Sequence, residues 1–175
     1  QLRINLGWQN NDRKEFPDIS PEPGLWFSLQ TMTYDLKYYL VEQKGLETAF
    51  GISGMHQENR NKGSEFLIPA YTLNDAGMFA TIKRSWTRTT VNAGLRYDWR
   101  GVDGTEQFSE GYQLFRPLHE SFKAISGSVG ATYQLSKKVS LKSNLGRGFR
   151  APNISELSAN GVHEGTFRYE AGNPD

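Results

Sequence analysis

Alternation of apolar and polar residues with a period of two recurs about seven times along this 175-residue chain, and no other feature constrains its fold as tightly. Successive side chains of a strand point to opposite faces, so each such run predicts a strand with one apolar and one polar face. Leu2, Ile4, Leu6 and Trp8 alternate with Arg3, Asn5, Gly7 and Gln9. A long strand over about 25–41 sets Met32, Tyr34, Leu36, Tyr38 and Leu40 against Thr31, Thr33, Asp35, Lys37 and Tyr39. Leu46, Thr48, Phe50 and Ile52 mark a third. The fourth, near 73–85, places Ala76, Met78, Ala80 and Ile82 against Phe79, Thr81 and Lys83, and its faces are the least distinct. Val91, Ala93, Leu95, Tyr97 and Trp99 against Asn92, Gly94, Arg96, Asp98 and Arg100 form the clearest pattern. The last two runs cover about 121–135, with Ile125, Val129, Ala131, Tyr133 and Leu135, and about 139–149, with Val139, Leu141, Leu145 and Phe149.

The connections between these runs alternate in length. Residues 11–24, 58–71 and 101–120 and the closing stretch from Phe149 are long, whereas 42–45, 86–89 and 136–138 are short. In an up-and-down antiparallel sheet every second connection lies at the same end, so all long loops fall at one end and all short turns at the other. That asymmetry is the mark of a transmembrane β-barrel with short periplasmic turns and long extracellular loops. Periodicity alone leaves open whether an apolar face turns out to lipid or in to a core. Aromatics near the strand ends, among them Trp8, Trp86, Trp99, Tyr133 and Phe149, favour lipid, because such rings settle at membrane interfaces; the alternative is an ordinary aromatic core. Bacterial single-chain barrels have an even number of strands and no free edge, so about seven strands predict a sector of a wall whose remainder comes from more of the same polypeptide.

Composition narrows the functional classes. A net charge of +1 with scattered basic residues argues against nucleic acid as a partner. The absence of cysteine removes disulfides, thiol catalysis and cysteine-based metal sites. Eighteen glycines and 13% aromatic residues suit an all-β chain rich in turns. No apolar run approaches the roughly 20 residues of a membrane helix. The start lacks the layout of a signal peptide and the end lacks a closing strand, so both termini read as cut. No HExxH, GxSxG or phosphate-binding glycine loop occurs, and an enzyme is not expected.

The closing stretch carries Gly146-Arg147-Gly148-Phe149-Arg150-Ala151-Pro152, then Glu156-Leu157, Gly161-Val162-His163-Glu164-Gly165-Thr166, Tyr169-Glu170 and Gly172-Asn173-Pro174. In this order the residues resemble the barrel region of TonB-dependent outer-membrane receptors, importers of ferric siderophores, haem, cobalamin and some glycans. Upstream, KGSEFLIPAY and GLRYDWR are similar to iron-complex receptors of the Bacteroidetes type. The resemblance implies an antiparallel, up-and-down transmembrane barrel of about 22 strands closed by a plug, with a TonB box that engages the inner-membrane energy system. No counterpart of plug, TonB box or final strand is found in these residues, so a partial barrel domain spanning 1–175 of a Gram-negative outer-membrane protein is expected. Its partners would be outer-membrane lipid, the remaining strands and plug of the same receptor, and TonB.

The resemblance also assigns candidate roles. Arg147, Gly148, Phe149, Arg150, Ala151, Pro152, Glu156, Leu157, Gly161, Gly165, Thr166, Tyr169, Glu170, Gly172, Asn173 and Pro174 make up the family motif and are expected to order the loop. Pairing of Glu156, Glu164 and Glu170 with Arg147, Arg150 and Arg168 is one means, and Pro152, lacking an N–H, is expected to help end the last strand ladder. Haem receptors of the family carry a Phe-Arg-Ala-Pro box and an Asn-Pro-x-Leu box flanking a loop histidine; Phe149–Pro152, Asn173-Pro174 and His163 correspond. A neutral imidazole is a sound haem ligand, though the same histidine can instead hydrogen-bond loop backbone and hold the segment over the wall. His119 and the loop aromatics Tyr71, Phe108, Tyr112 and Phe115 are further candidates for contacting a siderophore or porphyrin, against the alternative that they are surface and loop-packing residues. His56 reads as a surface histidine. No permanently bound cofactor and no structural metal is expected. Two other functional classes remain open: a self-contained small outer-membrane barrel acting as an adhesin or binding protein, and a soluble β domain with a dispersed enzyme site.

Overall fold

The computed structural model describes the chain apart from residues 17–20, 110, 164–167 and 174–175 and the side chains of 162 and 163. Its elements are β1 (Leu2–Glu15), β2 (Leu25–Tyr39), β3 (Leu46–Asn61), β4 (Tyr71–Ser85), β5 (Thr89–Gly104), β6 (Gln107–Ser109), β7 (Tyr112–Phe115), β8 (Leu118–Ser136), β9 (Val139–Arg147), α1 (Ile154–Ser158), β10 (Asn160–His163) and β11 (Arg168–Ala171). Seven strands form one antiparallel sheet in the order β1-β2-β3-β4-β5-β8-β9. The up-and-down order expected from loop lengths is thus present, with a small hairpin, β6–β7, set into the connection between β5 and β8. A second hairpin, β10–β11, stands in the closing stretch.

The strands reach further than the alternation indicates. β1 continues to Glu15, β3 to Asn61 and β5 to Gly104, so part of each long connection is strand. Backbone pairing persists there, with Lys14 opposite Trp26 and Ser28 opposite Arg60, because a ladder needs no apolar side chains. At the other end the turns are tight. Lys44 and Gly45 both have positive φ, 50° and 78°, as a two-residue hairpin turn matched to the strand twist requires.

Register assigns the faces. Ile4, Leu36, Ile52, Met78, Tyr97 and Ile125 lie side by side across six strands. The neighbouring row on the opposite face is Arg3, Lys37, Gly51, Phe79, Arg96 and Ser126. Nothing among the described residues covers the apolar face: Ile4, Met78 and Ile125 are each more than half exposed. A soluble sandwich would bury such a face; left bare, it suits the outward side of a membrane-barrel wall. Tyr133 sits opposite Thr89 on β5, and Trp99 lies about ten residues further along that strand. At ~3.3 Å per residue and a tilt of ~40° this separates the two aromatic levels by ~25 Å, the height of a barrel's apolar band.

Beyond that band the phase of the alternation inverts. Leu29, Met55, Leu73, Val102 and Phe122 stand at odd separations from Met32, Ile52, Met78, Trp99 and Ile125 and so occupy the inner face. Tyr71, Leu73, Val102 and Leu118 pack there against Ile154 and Leu157 of α1, with Leu29, Met55, Ile68 and Phe122 at the margin. The buried core of this chain therefore lies at the mouth of the wall, where water surrounds the outside and apolar side chains gain by turning in.

Candidate functional site

On the inner face within the band, charge is arranged in matched rows. Arg100 donates two hydrogen bonds to Asp75, each 2.7 Å, across the β4–β5 pair. Arg96 donates to Asp98 at 2.7 Å and to Ser53 at 3.0 Å. Asp35 accepts from Asn5 and lies 3.3 Å from Lys37. Phe79 sits between two cations, with Lys37 5.8 Å and Arg96 5.9 Å from its ring centroid. This placement explains the blurred faces of the fourth run: Phe79 is an aromatic on the polar face, held by cation–π contacts rather than by burial in an apolar core.

The closing stretch turns in over this wall. Gly148, Phe149, Arg150 and Ala151 face Ser53, Asp75, Arg96 and Arg100 across a polar cleft of about 540 Å³. Two expectations change here. The ladder of β9 ends at Arg147, opposite Gly127, several residues before Pro152, so the strand stops ahead of the proline. Phe149 consequently lies past the strand, beside the cleft.

From Pro152 the chain forms α1, whose five residues are secured at their start. The Asn153 side chain accepts from the Glu156 amide, and the Glu156 carboxylate accepts from the Asn153 amide, each at 2.9 Å. This reciprocal capping box satisfies two amides that a helix start leaves unpaired. Arg150 adds a two-pronged contact, donating to both Glu156 oxygens at 2.9 and 2.8 Å. The Arg150 guanidinium and, next, the Asn153 amide hold the Glu156 carboxyl at about 2, well below its usual range. Leu157 is 4% exposed within the core. The Gly172 amide donates to the Ala159 carbonyl at 2.7 Å and the Asn173 amide to the Glu156 carbonyl at 2.8 Å. Gly172 comes so near the Ser158 and Ala159 amides that a Cβ would strike them.

Other candidate residues fall in different places. Gly161 passes beside the Phe66 carbonyl. Tyr169 donates through its hydroxyl to the Asn160 side chain. Glu170 is on β11, and His163 ends β10 with its backbone opposite Arg168; its side chain, with Gly165, Thr166 and Pro174, lies outside the described residues, as does Glu164. Tyr71 and Phe115 are enclosed, Tyr71 donating to Gln57 at 2.9 Å and Phe115 only 3% exposed, so neither ring presents a free face. Tyr112, 80% exposed, and Phe108 stand on the β6–β7 hairpin. His119 contacts Asp103 at 2.9 Å and His56 contacts Asn74 at 2.8 Å, both on the outer face away from the cleft. Among the described residues no group of three or more His, Asp or Glu is placed to hold a metal ion.

Asn153, Asn160 and Phe79 were not legible as contributors. The Asn-x-x-Glu spacing of a capping box was present at 153–156, but a helix this short shows no periodicity.

An outward apolar band, two aromatic levels, a charged inner face and long loops gathered at one end define a sector of an outer-membrane β-barrel wall. The whole chain, residues 1–175, matches the family described as TonB dependent receptor-like, beta-barrel. The chain belongs to that family, whose members lie in the Gram-negative outer membrane and serve TonB-dependent transport rather than catalysis. No curated protein and no solved structure matched it.

Proposed function

We propose that this chain supplies part of the wall and extracellular mouth of a receptor that imports an iron complex, a ferric siderophore or haem. The observation that carries the reading is the closing stretch. Its Phe-Arg-Ala-Pro box and Asn173 bracket a hairpin rooted at the mouth, and His163 ends the first strand of that hairpin. The motif residues serve to order this segment: Arg150, Glu156 and Gly172 hold α1 and the hairpin root, and Leu157 seats them on the wall. Tyr112 and Phe108 offer exposed rings to an arriving ligand, and His163 is the candidate iron ligand if the cargo is haem.

Strands β1 and β9 are the edges of the described sheet. Hydrocarbon tolerates no unpaired ladder, so we assign 1–175 to a partial barrel domain completed by further strands of the same polypeptide, with plug and TonB box elsewhere in it. The same unpaired edges weigh against a self-contained small barrel. Capture at the mouth would be followed by a plug rearrangement driven through TonB.

Uptake of labelled iron, presented as haem or as ferric siderophores, by cells with and without the complete receptor tests the cargo class. Receptor-dependent uptake of one of them is expected, and equal uptake in both strains for every iron complex rejects the class. Haem titration of the complete receptor with His163→Ala separates the two cargoes, since unchanged affinity and Soret spectrum eliminate His163 as a ligand.

A further inference from the structure

The long connections at the mouth are joined to one another by backbone and side-chain hydrogen bonds, and these links run through all four of them. The Glu65 amide donates to the Gly24 carbonyl at 2.9 Å, tying the connection after β3 to the end of the one after β1, while the Lys62 amide donates to Trp26 of β2 at 2.8 Å and only prolongs the β2–β3 ladder. Thr105 donates to the Ala70 carbonyl through its amide, at 2.9 Å, and through its hydroxyl, at 3.1 Å, tying in the connection after β5. Asn160 joins the closing stretch to these connections. The Asn160 amide donates to the Leu67 carbonyl at 3.1 Å, its side-chain amide donates to the Leu114 carbonyl at 2.9 Å, and its side-chain oxygen accepts from Tyr169. One half-buried side chain thus touches the β6–β7 hairpin and β11, while its own backbone holds the connection after β3.

We propose that the described parts of the four long connections move as a single body and that Asn160 is the positioning residue that locks the closing stretch into it. Independent loops would each open at their own cost, exposing their own amides. Linked through these hydrogen bonds, with α1 seated on the strand residues Tyr71, Leu73, Val102 and Leu118, they open together or remain closed together. A ligand contacting any one connection would then displace the others, which makes the mouth a cooperative device and not a set of separate fingers. This holds whatever the cargo is, so its failure would leave the iron-complex reading untouched.

Hydrogen exchange of the complete receptor in detergent, read by mass spectrometry, tests it. Asn160→Asp keeps the acceptor for Tyr169 but sets a carboxylate against the Leu114 carbonyl. Exchange is expected to quicken by about tenfold or more around Thr105 and Leu114 as well as in β10 and β11, with the membrane part of β5 unchanged. Acceleration confined to β10 and β11 would overturn the proposal. Tyr112→Ala, at an exposed hairpin position, should leave the other connections as they are. Should the Asp variant fail to insert, the wild-type receptor gives the answer in a denaturant series: the amides of Glu65, Thr105 and Gly172 should lose protection in parallel, and separate slopes refute a common opening.

Discussion

Glu156 gathers more of the closing stretch than any neighbouring residue. Its carboxylate accepts from Arg150 and Asn153, its amide donates to Asn153, and its carbonyl accepts from Asn173. Its carboxyl is depressed from 4.5 to about 2, so the contribution of these contacts is complete above pH ~4.5 and is lost as pH falls towards ~2. The protection factor of the Asn173 amide, corrected for intrinsic exchange, should therefore be flat at neutral pH and fall in acid, and Glu156→Gln should abolish that acid transition. Gly172 is constrained by space. A methyl group there would meet the Ser158 and Ala159 amides, so Gly172→Ala should cost about 1–3 kcal/mol of local stability in α1 and the hairpin. Gly148, with nothing within reach of an added Cβ, should accept alanine within about 0.5 kcal/mol. Local opening free energies from hydrogen exchange compare the two. The pairing of Arg150 with Glu156 belongs to the charge pairs expected from the sequence, but the choice among several arginines and glutamates was made by the cap at Asn153, which fixes where the Glu156 carboxylate points.

At the scale of elements, α1 is too short to persist alone, since isolated helices below about 12–15 residues are marginal in water. Its stability comes from the cap and from seating Ile154 and Leu157 on the inner face of β4, β5 and β8. Leu157→Ala should remove about 2–5 kcal/mol from that seat. The loss should appear as faster proteolysis and exchange in the closing stretch with unchanged heat-modifiability of the barrel, because the wall strands are held by their own ladders. The inversion of phase along β2, β3, β4, β5 and β8 was written in the sequence. Leu29 against Met32, or Val102 against Trp99, already has the wrong parity for one continuous face. A search for uninterrupted alternation stops at such a break and assigns the remainder to a loop, which is why β3 and β5 came out short, whereas the second run was already given a start at about 25. The physical cause is that the solvent on the outside changes from lipid to water along one strand, reversing which face should be apolar.

At the scale of the whole molecule, the assignment of the faces can be tested on adjacent residues. Val129 on β8 belongs to the outer row with Ala93 and Leu145, and Ser128 beside it faces inward between Gly94 and Gly146. Arginine at 129 should cost about 2–4 kcal/mol of folding into a bilayer, near the middle of the band, whereas Ser128→Arg should cost less than about 1 kcal/mol. Folding of the complete receptor into lipid vesicles over a denaturant series measures both, and equal costs would contradict the face assignment. Strand number, antiparallel order and the end carrying the long loops were all determined by the sequence alone, because side-chain period and connection length are local properties of the chain. Which apolar face is covered, that Phe79 is held between Lys37 and Arg96, and that Asn160 joins separate connections were decided only in the tertiary structure. These depend on partners many residues away, brought together by register, and no local pattern encodes which carbonyl or cation will stand opposite.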